Sequence, residues 1–91
     1  MRRLQAVVSG RVQGVGFREF VRHEAASRGI TGYVRNSDDD QRVELVAEGD
    51  DMALAGLLET LYTGPRFAKV ERVESEFSEA SGGFAKFSVE L

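Results

Sequence analysis

The stretch L-Q-A-V-V-S-G-R-V-Q-G-V-G-F-R-E-F-V-R, Leu4 to Arg22, changes period halfway along. Leu4, Ala6 and Val8 alternate with Gln5, Val7 and Ser9, the pattern of a strand with one well-buried face. Gly10 to Gly16 then places three glycines in seven residues, a loop the backbone can bend freely. From Phe17 the spacing is helical. Phe17, Phe20, Val21 and Ala25 share a stripe, Arg18, Arg22 and Glu24 turn away from it, and Gly29 is placed to close the helix.

Working outward, Tyr33 to Asn36 begins a second strand and Ser37-Asp38-Asp39-Asp40-Gln41 makes a hairpin turn. The third strand puts Val43, Leu45 and Ala47 on one face and Glu44, Val46 and Glu48 on the other. Asp50 or Asp51 caps a second helix, where an acid suits the N-terminal dipole. Its stripe is Leu54, Leu57, Leu58, Leu61 and Tyr62, and Gly64-Pro65 ends it. In Lys69 to Phe77 the apolar positions Val70, Val73 and Phe77 break period two, which predicts a β-bulge or a change of face near Arg72. After the turn Ser81-Gly82-Gly83, the last strand runs from Phe84 to Leu91 with Ala85, Phe87, Val89 and Leu91 on one side.

Two helices with one apolar stripe each can cover only one face of a sheet, and the crossovers are right-handed. The expected class is therefore α+β: a two-layer α/β sandwich of the split β-α-β, ferredoxin-like kind. It has βαββαβ order plus one extra strand, and two helices on one face of a mostly antiparallel sheet. There is no repeat, linker or low-complexity segment, so residues 1–91 are expected to form a single domain.

The composition excludes several chemistries. With no cysteine there is no disulfide framework, Cys-ligated zinc, iron–sulfur cluster or thiolate nucleophile, and the single histidine, His23, rules out a His-rich metal site. The apolar run after Arg2 and Arg3 is too short for a signal peptide or a membrane span, so a cytoplasmic protein is expected. The net charge of −3 is uneven: residues 1–22 carry five arginines against Glu19 alone, while the rest of the chain is acidic. A basic first quarter on an acidic body speaks against a nucleic-acid surface and for a small anionic ligand.

The anion site follows from the loop. G-R-V-Q-G-V-G-F-R, Gly10 to Arg18, joins a strand to a helix start, where backbone N–H groups lack partners and the dipole favours negative charge. Gly14 and Gly16 permit the left-handed turns that converge successive N–H groups into a nest. Arg18 sits beside it with a planar fork of donors suited to phosphate. Neither common nucleotide loop is present. A Walker loop needs Gly-Lys-Ser/Thr where Gly16-Phe17-Arg18 stands, and the dinucleotide pattern needs a glycine where Glu19 stands.

The same nine residues resemble the signature of the acylphosphatases. G-Y-V-R-N at Gly32 to Asn36 with V-E-L-V-A-E-G at Val43 to Gly49 resembles their second signature, and Gly64-Pro65 with A-K-V-E-R-V, Ala68 to Val73, is similar to a later part of the pattern. The resemblance implies that the Gly10–Arg18 loop cradles a phosphate through Gln13, Gly14, Val15, Gly16, Phe17 and Arg18. It further implies that Arg18 binds the phosphate and that Asn36 positions the attacking water. It departs at Ser37 to Arg42, an acidic turn without the family's usual Asp-Gly and about one residue longer.

An acyl phosphate suits so sparse a site. Its leaving group is a carboxylate whose acid has a pKa near ~4, so it departs without a proton donor. Phosphoryl transfer then needs chiefly positioning and charge stabilisation. No metal or cofactor is expected, and the partners are a small acyl phosphate and inorganic phosphate, with no nucleic acid, no membrane and a monomeric chain. A catalytically silent anion-binding ferredoxin-like module is the alternative. His23 is read as a rim histidine, Asp38 to Asp40 as a charged turn, Arg35 as a surface charge, and Phe84 and Phe87 as packing residues rather than an RNA-binding motif.

Overall fold

A computed structural model describes residues 1–91. In chain order the elements are β1 (Arg2–Arg11), α1 (Phe17–Ala26), β2 (Thr31–Asn36), β3 (Arg42–Gly49), α2 (Asp51–Leu61), β4 (Lys69–Glu79) and β5 (Phe87–Glu90). The strands form one sheet in the order β4-β1-β3-β2-β5. β1 is antiparallel to β3 and β4, β2 is antiparallel to β3, and β5 lies parallel to β2. Both helices pack on one face, so the architecture is the split β-α-β, ferredoxin-like sandwich with one strand added.

Two antiparallel steps separate β1 from β2, so these strands run the same way, and β5 joins them. The C-terminal ends of all three therefore emerge at one end of the sheet. At that same end the chain leaves β1 and starts α1.

Alternation and helical spacing fill one core. Leu4, Ala6 and Val8 of β1 and Val43, Leu45 and Ala47 of β3 meet Phe17, Val21 and Ala25 of α1 and Leu54, Leu57 and Leu61 of α2. Burying each leucine or phenylalanine among these is worth about 1.5–3 kcal/mol. Asp50, not Asp51, is the cap of α2: its carboxylate accepts from the Ala53 amide at 2.9 Å. Gly29 closes α1 as expected, with the Ile30 amide reaching back to the Ala25 carbonyl at 3.0 Å.

The bulge falls beside the expected place. The register steps from Ser9 opposite Arg72 to Gly10 opposite Val70, which leaves Glu71 as the extra residue of β4. Two expectations need correction. The stripe of α2 stops at Leu61, and Tyr62, past the end of the helix, is 58% exposed. The last strand is Phe87–Glu90 rather than Phe84–Leu91, because β2 offers only Gly32 to Arg35 for parallel pairing. Phe87 and Val89 face the core, Ala85 and Leu91 are exposed, and Phe84 packs its ring near Tyr33 with centroids 6.0 Å apart.

Glu48 has an environment that alternation does not report. It lies on the face opposite the helices, as alternation requires, yet it is fully buried at 0% exposure. The β4–β5 connection folds over it. The Ser81 amide donates at 2.8 Å, the Gly82 amide at 2.9 Å, the Ser81 hydroxyl at 3.0 Å and Arg3 Nε at 2.8 Å. These donors, the Ser81 amide foremost, outweigh burial and pull the carboxyl from 4.5 down to about 2. A depressed folded-state pKa gives stability that is present above the ordinary carboxylate value and is lost as pH falls through the folded one. Glu48→Gln should therefore cost about 1–3 kcal/mol at pH 7 in urea titrations. The gap between variant and parent should narrow as pH falls from 4.5 towards about 2; a gap independent of pH would contradict this assignment.

Candidate active site

The loop between β1 and α1 is pinned at both ends by buried side chains, Val12 and Phe17, each 1% exposed. Between them Gly14 and Gly16 take left-handed conformations, with φ of 72° and 78°. Gly16 stands in the capping position just before α1, and it has no side chain to cap the helix. The first helical bond runs from the Phe20 amide to the Gly16 carbonyl at 3.0 Å. The amides of Val15, Gly16, Phe17, Arg18 and Glu19 thus find no acceptor within the protein, and the helix dipole adds positive potential at the same point.

Arg18 projects from the first turn. Its Nη1 donates to the main-chain carbonyl of Glu90, at the end of β5, at 2.9 Å. It has no carboxylate partner, whereas Arg2, Arg3 and Arg22 pair with Asp51, Glu48 and Glu19. One of its five N–H donors is held by the carbonyl and the remainder of the fork is free for an anion. Glu19 beside it is kept ionised by Arg22, whose guanidinium hydrogen-bonds its carboxylate and lowers its pKa.

Asn36 reaches the same place from β2. Val34 points into the core, so Asn36 two residues on faces the helix side, opposite Val43 of β3. Its Oδ1 is buried and has no hydrogen-bond partner. A cleft of about 190 Å³ brings Gly14, Gly16, Arg18 and Asn36 together, with Val12 and Val89 as apolar walls. A buried carbonyl-type oxygen without a donor is costly unless something donates to it.

A family model of acylphosphatases matches residues 4–89. The chain belongs to the acylphosphatase family. An acylphosphatase from Salinibacter ruber is 47% identical over 88 residues, 97% of this chain and 92% of that one. One from Geobacillus thermodenitrificans is 50% identical over 76 residues, 84% of this chain and 80% of that one. The crystal structure of the Bacillus subtilis acylphosphatase superposes with a TM-score of 0.95 at 42% identity, covering 100% of both chains.

Of the residues expected at the acylphosphatase site, Gly14, Gly16, Phe17, Arg18 and Asn36 line the cleft. Val15 lies against the core beside them. Gln13 does not line it: its side-chain amide turns to the β2–β3 hairpin instead. Sequence reasoning missed the Glu90 carbonyl, a main-chain group with no signature of its own. The longer hairpin turn dispenses with glycine because Asp40 takes the left-handed position itself, at φ 62°. Asp39 organises the rest, accepting from the Ser37 hydroxyl and the Gln41 amide and pairing with Arg42 at 2.8 Å.

His23 is exposed, and Arg35 pairs with Glu44 at 3.1 Å on the sheet's uncovered face. No group of three or more histidine, aspartate or glutamate side chains is gathered to hold a metal ion. A Cβ on Gly16 would meet nothing within 4 Å, so Gly16→Ala tests backbone strain alone. The left-handed conformation should cost the variant about 1–2 kcal/mol, lowering Tm by about 4–16 °C in a thermal melt. An unchanged Tm would show that the loop does not depend on this turn.

Proposed function

We propose that this chain hydrolyses the carboxyl–phosphate bond of small acyl phosphates to a carboxylate and inorganic phosphate. The observation that carries the reading is the unpartnered, buried Asn36 Oδ1 facing the same cleft as Arg18 and the bare amides of α1. The phosphoryl group sits against the amides of the Gly14–Arg18 turn, and Arg18 completes the ring of donors. A water donates a hydrogen bond to Asn36 Oδ1 and attacks phosphorus opposite the acyl oxygen. The P–O bond to the acyl group breaks with its electron pair on the carboxylate, and both protons of the water remain on the released dihydrogen phosphate.

The scheme needs no general acid, since a carboxylic acid of pKa near ~4 leaves as its anion, and no resident metal or cofactor. The site amides and Arg18 stabilise charge spread over the phosphoryl oxygens, where electrostatic preorganisation acts most strongly.

The reading extends to residues 1–91 working as one domain, monomeric and cytoplasmic, with no nucleic-acid or membrane partner. What supports it is the acidic balance of −3 overall, and the row Glu71, Glu74, Glu76 and Glu79 along the free edge strand β4, which discourages strand addition. In addition, no helix is long and apolar enough to cross a membrane.

Benzoyl phosphate hydrolysis followed in the presence of a chelator is the direct test, with turnover expected. Arg18→Lys should lose on the order of 10²–10³ in kcat, because a point charge cannot replace the planar fork. Asn36→Asp should fall comparably, since its carboxylate would repel the phosphoryl group beside it. Parental rates in either variant would refute the assigned role, and phosphate binding without turnover in the parent would favour a silent binding module.

A further inference from the structure

Gln13 sits inside the loop yet directs its side chain away from the cleft. Its Nε2 donates to the Ser37 carbonyl at 3.2 Å and to the Arg42 carbonyl at 2.8 Å. A carboxamide nitrogen carries two hydrogens, and both are thereby engaged. No donor of this side chain remains for an anion.

The two carbonyls are the mouth of the β2–β3 hairpin. The Ser37 amide also donates to the Arg42 carbonyl at 2.9 Å, and the Ser37 hydroxyl does so at 3.0 Å. A neighbouring link, from the Gly10 amide to the Gln41 carbonyl at 3.1 Å, ties the end of β1 to the same turn. Ser37 directly follows Asn36, and Gln13 directly precedes Gly14. One side chain therefore bridges the segment that carries the bare amides and the segment that carries the unpartnered amide oxygen. Asn36 Oδ1 has no hydrogen bond to hold it, so its position depends on the backbone on either side.

Resting on the hydrolytic reading above, we propose that Gln13 is a positioning residue. It sets the spacing between the phosphate-holding turn and Asn36, and its side chain does not bind phosphate. Displacing a water-orienting group by about 1 Å costs on the order of 10²-fold in rate, so loss of the bridge acts on turnover and not on anion affinity.

The experiment is a double-mutant cycle of Gln13→Met and Asn36→Ala, reading kcat and KM for benzoyl phosphate and the inhibition constant of inorganic phosphate. Gln13→Met keeps the length of the side chain and removes its donors. It should lower kcat about 10- to 100-fold and leave phosphate inhibition within about twofold. In the Asn36→Ala background it should lower kcat hardly further. Gln13→Glu supplies an independent readout if the methionine variant folds poorly. Its ionised carboxylate opposes two carbonyls, and protonation restores one donor, so its activity relative to the parent should rise as pH falls.

A weakened phosphate inhibition with kcat intact would make Gln13 a direct ligand and overturn the inference. So would a full kcat loss repeated in the Asn36→Ala background, or no loss at all in an enzyme that Asn36→Ala impairs. A parent that binds phosphate without hydrolysing benzoyl phosphate would overturn the hydrolytic reading itself, and the inference with it.

Discussion

The two helices of this protein begin in opposite ways. The Asp50 carboxylate closes the start of α2, and nothing closes the start of α1, where Gly16 stands in the capping position. An aspartate or serine at Gly16 would carry the strain of a left-handed backbone, and its oxygen would take up the amides. Left bare, they are available to the phosphoryl oxygens that the proposed function places there. Val12 and Phe17 anchor the loop in the core, and three strand ends converge around it.

The charge pattern takes on a sharper meaning in three dimensions. The first quarter of the chain is rich in arginine, but most of that surplus is neutralised where it stands, Arg2 by Asp51, Arg3 by Glu48 and Arg22 by Glu19. Arg18 escapes this pairing and meets only a neutral carbonyl. What sets Arg18 apart from Arg2, Arg3 and Arg22 is that it lines the cleft without an ion-pair partner, a property of the folded chain.

Much of the fold could be read from periodicity. The change from period two to helical spacing at Phe17 placed β1, the loop and α1, and the broken alternation after Val70 placed the bulge that Glu71 occupies. The left-handed turns of the loop and its bare amides were legible from glycines standing before a helix start. Asn36 was legible only through its resemblance to a family, since an asparagine before Ser-Asp-Asp ordinarily reads as turn chemistry. What settles its geometry is the parallel course of β1 and β2, a topological fact. The burial of Glu48 was not legible, because alternation reports which face a side chain takes and not what folds over it. The direction of the Gln13 amide was invisible for the same reason: its acceptors are main-chain carbonyls 24 and 29 residues away.

The carbonyl that steadies Arg18 belongs to Glu90, at the far end of the chain from the loop it serves. The loop and β5 are thus fastened to one another by a single arginine, and the orientation of its guanidinium depends on that strand being docked against β2.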